Sequence, residues 1–121
     1  MRESELERIL VNETRKEGGK AYKWISPGND GVPDRIVFFP DGKVYFVELK
    51  ADRGRPRPVQ LRQLEILSDL KQDAGVVRGL QGLVDFFDRV GHGEAAGRLR
   101  TRYALELRKT EGGDAGEVRA T

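Results

Sequence analysis

Cysteine is absent from the 121 residues, which removes disulfides and thiolate-held metals from consideration. Histidine occurs once, as His92 between Gly91 and Gly93. Multi-histidine metal sites and acid–base catalysis by a histidine pair are therefore excluded too. No hydrophobic run approaches the roughly 20 residues of a membrane span, and no internal repeat is present. Neither sign of charge dominates, since 22 Lys and Arg against 20 Asp and Glu leave a formal net charge of +2. That balance does not by itself mark a nucleic-acid binder, and any basic surface has to come from local clustering. The chemistry open to this chain uses carboxylates, lysine, water or a metal held by oxygen ligands.

What is present suits one domain with a modest core, given 37 % hydrophobic and 35 % charged residues. The start, Met1-Arg2-Glu3-Ser4-Glu5, is charged and lacks the apolar run of a signal peptide. A soluble, cytoplasmic protein with no membrane partner is expected. Leu6, Ile9 and Leu10 recur at helical spacing, which predicts a helix from about Ser4 to Glu17, opened by a Ser4–Glu7 capping box and ended by Gly18-Gly19. Strands are predicted over Ala21–Ile25, Asp34–Phe39 and Val44–Lys50. An irregular Arg-, Pro- and Gly-rich loop follows from Asp52 to Pro58. A helix from Pro58 to Gln72 is then expected, with Leu61, Leu64, Leu67 and Leu70 as its stripe and Gly75 as its stop. A short strand over Gly75–Arg78 and a helix over Leu80–Val90 complete an α/β fold, a small mixed sheet flanked by helices. Residues 1–90 are read as the domain and 91–121 as an extension, with an amphipathic helix over Glu94–Lys109 and a disordered tail from Glu111.

The most informative segment is Phe39-Pro40-Asp41-Gly42. Proline at the second turn position and glycine at the fourth describe a type I turn closed by a left-handed glycine, a three-residue hairpin loop with a bulge. Phe39 then pairs with Lys43. Counting outward, Phe38 faces Val44, Ile36 faces Phe46, and Asp34 faces Glu48. Lys50, two residues beyond Glu48, shares its face. Opposed residues have side-chain roots about 5 Å apart, where like charges repel. Two facing carboxylates are relieved by a divalent cation such as Mg²⁺, which takes oxygen ligands at about 2.1 Å and keeps several waters. Lys50 is then placed to position or deprotonate a water, or to stabilise charge on a phosphate. The bland alternative is an ordinary surface pair of Glu48 and Lys50 that binds nothing.

Gly31-Val32-Pro33-Asp34, Val47-Glu48-Leu49-Lys50 and Gln60 together resemble the PD-(D/E)xK nuclease superfamily, and more closely its VRR-NUC domains. Lys23-Trp24-Ile25-Ser26-Pro27-Gly28 and Gly75-Val76-Val77-Arg78 fit the same pattern, so the resemblance covers about Glu5 to Val90. It implies a restriction-endonuclease-like core and a metal-dependent DNA endonuclease acting on branched or four-way duplexes. The setting it implies is replication or repair in a bacterium or a phage-infected host. By the same resemblance Asp34, Glu48 and the main-chain carbonyl of Leu49 hold Mg²⁺ or Mn²⁺, Lys50 is the catalytic lysine, and Gln60 borders the site. Glu5 matches an acidic residue of the first helix that reaches the metal through water, although a first-turn glutamate is also what the helix dipole favours. Small stand-alone relatives are typically homodimers, and a homodimer is expected here. Two other functions share these residues: a DNA-binding scaffold without catalysis, and an RNA-directed nuclease.

Arg53, Arg55 and Arg57 follow directly on Lys50 and are candidates for phosphate contact, with Lys23 and Arg35 flanking the site. Arg98, Arg100 and Arg102 offer a further basic patch that nearby acids nearly balance. Trp24 is read as either core or a packing surface for a partner.

Overall fold

The computed structural model describes residues 1–110 and 118–119. The element order is α1 (Glu3–Lys16), β1 (Lys20–Lys23), β2 (Arg35–Phe38), β3 (Val44–Lys50), α2 (Pro58–Asp69), β4 (Asp73–Arg78), α3 (Gly79–Arg89), α4 (Gly93–Arg102), α5 (Ala104–Thr110) and β5 (Val118–Arg119). The strands form one mixed sheet in the order β1-β2-β3-β4-β5. β1, β2 and β3 are an antiparallel meander, and β4 runs parallel to β3 after the α2 crossover. No helix among the described residues is long and apolar enough to cross a membrane.

The hairpin folds as its turn chemistry dictates. Gly42 takes φ 86°, its N–H donates to the Phe39 carbonyl at 3.0 Å, and the Phe39 N–H donates to the Lys43 carbonyl at 3.2 Å. The resulting register pairs Phe38 with Val44, Ile36 with Phe46, and Arg35 with Val47. Alternation along β3 then sorts its side chains. Tyr45, Val47 and Leu49 enter the main core with Leu6, Leu10, Leu83, Phe86 and Phe87. Phe46, Glu48 and Lys50 take the opposite face, where a smaller cluster of Leu64, Ala74 and Val76 sits under α2.

Three expectations are corrected in detail. α1 starts two residues upstream of the Ser4–Glu7 box: Glu5 accepts from the Arg2 main-chain N–H at 3.5 Å, because Arg2 occupies the cap position. α2 is not stopped by Gly75, which lies inside β4. It ends at Asp69, where Lys71 adopts φ 67° and the Lys71 and Gln72 N–H groups close onto the Ser68 and Leu67 carbonyls. The stretch 93–110 is two helices that share the core of residues 1–90, because Ala95 and Ala96 are small enough to bring α4 close and Leu99 is buried beside them. The break falls at Tyr103, whose ψ of 31° leaves helical geometry.

The tail expected from Glu111 lies outside the described residues except at 118–119. There β5 pairs antiparallel with Gly75 and Val76. Pairing satisfies main-chain groups that β4 would otherwise expose as a sheet edge.

Candidate active site

Three segments converge at the carboxyl end of β3. The loop ahead of β2 is seated on the first turn of α2, where a Cβ on Gly31 would lie 2.9 Å from the Val59 main chain. Gly31 is thus the residue that lets this loop close on the helix. Buried Pro33 follows, and the Asp34 carbonyl accepts from the Trp24 N–H at 3.0 Å. Asp34 Oδ2 accepts from the Leu49 N–H at 2.9 Å, which ties the loop to β3. The indole of Trp24 is half-buried, its ring 5.5 Å from that of Phe46.

Glu48 is 1 % exposed, an unusual place for an acid. Its Oε2 accepts from Gln60 Nε2 at 2.9 Å and lies 3.2 Å from Lys50 Nζ. Gln60 is itself fixed, because its Oε1 accepts from the Arg57 N–H at 2.7 Å and so caps α2. Glu48 Oε1 is buried and has no hydrogen-bond partner. An orphaned carboxylate oxygen is costly unless something binds it.

The electrostatics agree with that vacancy of partners. Burial pushes the Glu48 carboxyl up to about 7, and the neighbouring Asp34 charge pushes the same way against the bond and charge of Lys50. Burial also raises Asp34, opposed by the Leu49 N–H bond and by Lys50 and Lys23, and assisted by Glu7. Two acids that each resist ionising beside the other form an arrangement that a divalent cation would relieve. The donor set fits Mg²⁺ or Mn²⁺, hard cations that accept two carboxylates and complete their shell with water. Among the described residues no third acidic, histidine or cysteine side chain joins the pair closely enough to make a protein-only cage.

The other expected residues divide. Asp34, Glu48, Leu49, Lys50 and Gln60 are brought together. Glu5 is not: it bonds Arg2 Nε at 3.1 Å, and that side-chain bond lowers its carboxyl. The acids of α1 that face the site are Glu3, 3.9 Å from Lys50 Nζ, and Glu7, whose charge bears on Asp34. Their spacing of four places them on one helix face, a signal that was open to reading from the sequence. Lys23 is exposed near Asp34. Arg35 is engaged, donating to Glu7 Oε1 at 2.6 Å and to the Ala21 carbonyl at 3.2 Å. Arg57 lies 3.8 Å from Asp30, both exposed. Arg53 and Arg55 are exposed on the loop between β3 and α2. Arg98 is committed to Glu13 and Glu17, Arg100 to Asp88, and Arg102 lies over the Tyr103 ring.

No model of a protein family matches the sequence. A curated protein does: "Putative nuclease p44" from Acyrthosiphon pisum secondary endosymbiont phage 1 is 56 % identical over 63 residues, 52 % of this chain and 68 % of that protein. A solved structure described as a VRR_NUC domain superposes with a TM-score of 0.64 at 28 % identity, covering 72 % of this chain and 94 % of that one.

Proposed function

We propose, on the premise that the chain belongs to the VRR-NUC family of nucleases, that it is a metal-dependent DNA endonuclease that acts on branched duplexes as a homodimer. The observation that carries the reading is the orphaned Glu48 Oε1 beside Asp34, with Lys50 Nζ 3.2 Å from the other Glu48 oxygen.

Asp34, Glu48 and the Leu49 carbonyl are the groups that would hold the ion. Bound there, Mg²⁺ or Mn²⁺ would supply Lewis-acid polarisation of a phosphoryl oxygen and a more acidic water. The chain's own residues do the rest. Gln60 fixes the Glu48 carboxylate by one oxygen, and the other, buried and without a partner, is left for ligation. The Leu49 N–H holds Asp34 in place. Lys50 either orients and deprotonates the attacking water or donates to the oxygens on which charge builds. Hydrolysis adds the water oxygen to phosphorus and expels one bridging oxygen, which takes up a proton. With its carboxyl pushed up to about 7 by burial, Glu48 would have to give up its proton to hold a cation.

Exposed Lys23, Arg53, Arg55 and Arg57 border the site and suit phosphate contacts. Support for a homodimer is the half-covered sheet face, where Tyr22 and Phe38 are 50 % and 41 % exposed and stack edge to face. A twofold pair would also present two equivalent sites to a branched duplex.

The test is incubation with linear, flap and four-way DNA and with RNA, in Mg²⁺, Mn²⁺ or chelator. Cleavage of branched DNA that requires metal and disappears in Asp34→Ala is expected. Full activity in Asp34→Ala, or cleavage in chelator, would refute the assignment. Binding without cleavage would identify a scaffold, and cutting of RNA alone would change the substrate. Light scattering that gives only monomer at micromolar concentration would remove the dimer.

A further inference from the structure

Beside the Asp34–Glu48 pair lies a second, basic feature. A cleft of about 670 Å³ is lined by Asp52, Arg53, Gly54, Arg55, Pro56, Leu61 and Arg78. Arg78 ends β4 and pairs in register with Lys50, so the two side chains start about 4.8 Å apart on the same face of the sheet. No acidic side chain pairs with Arg53, Arg55 or Arg78 within salt-bridge distance among the described residues. Most other arginines here do have such a partner, as Arg35, Arg57, Arg62, Arg89, Arg98 and Arg100 show.

The loop that carries Arg53 and Arg55 is pinned. Arg78 Nε donates to the Gly54 carbonyl at 3.1 Å, and the Gly54 N–H donates to the Ala51 carbonyl at 2.9 Å. The Asp52 carboxylate closes over Gly79, where any Cβ would stand 1.9 Å from its Oδ1. Arg78 spends one donor on the loop and keeps its terminal nitrogens for another acceptor. Three guanidinium groups on a fixed frame suit an oxyanion with several acceptors, and a phosphate is the best match. Pro56 and exposed Leu61 give the cleft an apolar wall suited to a sugar.

We propose that this cleft seats one phosphate of the bound nucleic-acid strand, adjoining the phosphate cut at Lys50, with Arg78 as its anchor and Arg53 and Arg55 as its rim. The inference rests on the nuclease reading for the position of the cut, but the seat itself works without catalysis. Its function is to fix the strand's register against Lys50, since phosphate contacts set position rather than sequence.

The experiment measures DNA binding in chelator by fluorescence anisotropy between 50 and 200 mM salt. Wild type is compared with Arg78→Gln, with the double variant Arg53→Gln/Arg55→Gln, and with Arg100→Gln as a paired arginine on α4. Loss of one phosphate contact lowers the slope of log affinity against log salt by about 0.9. Accordingly, the wild-type advantage over Arg78→Gln should shrink about 3.5-fold across that salt range. A similar fall in the double variant and none in Arg100→Gln is expected. Unchanged slopes in Arg78→Gln and the double variant would overturn the proposal, as would an equal fall in Arg100→Gln. If Arg78→Gln fails to fold, the double variant decides, because Arg53 and Arg55 are exposed. Cleavage with metal, measured on wild type and Lys50→Ala, separates the two readings. Metal-dependent cutting with unchanged slopes sinks the phosphate seat alone, whereas changed slopes with no cutting sink only the catalytic reading.

Discussion

The two faces of β3 solve opposite problems with neighbouring residues. On one, Tyr45, Val47 and Leu49 pack against α1, α3 and α4 in a core that contains Phe86 and Phe87. On the other, Phe46 and Glu48 lie under α2 beside a smaller cluster of Leu64, Ala74 and Val76, and Lys50 also meets Glu3 of α1. Both faces have acids withdrawn from water, and they are treated differently. Partial burial pushes Glu17, at the C-terminal cap of α1, upward, but Arg98 and His92 bind it and hold it below its ordinary value. Burial also acts on Glu48, but there a second acid adds to it, and Lys50 and Gln60 leave one oxygen bare. The first face spends its charges on joining α1 to α4. The second keeps an unsatisfied charge in place, supported by the stability of the first.

The sharpest way to test this division is Lys50→Ala. Removing a group that acts on the reacting phosphate should cut the rate by about 10⁴-fold, roughly 5.5 kcal/mol of transition-state stabilisation. The thermal midpoint should move little, since the Lys50 side chain adds no apolar packing to the main core and Glu48, already raised to about 7, takes up a proton when its ammonium partner is lost. Single-turnover cleavage and a melting curve on the same sample check both halves. A variant that unfolds instead would show that the two faces are not independent. The mirror experiment is Phe87→Ala in the main core, expected to cost about 4 kcal/mol of stability through the cavity it leaves. Below its lowered midpoint that variant should still cut at close to the normal rate.

Acidity offers a comparison of smaller size. Glu48 has its folded value raised to about 7 from an ordinary 4.5. The folded state therefore binds more protons than the unfolded chain between those pH values, and this group makes the metal-free protein less stable as pH rises through that window. The effect is at most on the order of 3 kcal/mol, less what solvent screening removes. Glu17 has the opposite sign: its stabilisation is present above its unfolded value and is lost as pH falls through the lowered folded one. Melting in chelator should thus show stability rising from pH 7 toward 5, then falling in stronger acid. Glu48→Gln should flatten the first limb and leave the second. If the first limb persists in Glu48→Gln, the charge strain lies elsewhere.

How much of this was legible in the sequence depends on which interaction fixes each part. The site's register was legible because it is local: Pro40, Asp41 and Gly42 specify one turn, and β3 alternation follows from it. The resemblance supplied the glutamine, and the structure gives Gln60 its physical reason as both helix cap and carboxylate clamp. The fold of 93–110 was not legible as core, because Ala95, Ala96 and Leu99 form a thin apolar stripe beside arginines that look solvated. Only the tertiary pairing of Arg98 with buried Glu13 and partly buried Glu17 explains them. The end of α2 was misplaced for a similar reason. A lysine in a left-handed conformation closes it, at a cost of 1–2 kcal/mol by the usual steric estimate, and no residue preference announces that.

The acid on α1 is the finest of these distinctions. Glu5 has the family's apparent position, but consecutive helical residues turn by about 100°, so Glu5 lies well around the helix from Glu3 and Glu7. It caps α1 and bonds Arg2 instead. Glu5→Ala should therefore lower stability only slightly, the ordinary loss of an exposed cap partner, and should leave the cleavage rate close to that of the wild type. Glu7→Gln removes the acid that bears on Asp34 and frees Arg35. With Glu7 no longer raising it, Asp34 should ionise at lower pH. The pH at which cleavage begins should then shift downward in Glu7→Gln and stay fixed in Glu5→Ala. A shift seen with Glu5→Ala instead would mean that Glu5 reaches the site after all, and that α1 presents a different face when metal and DNA are bound.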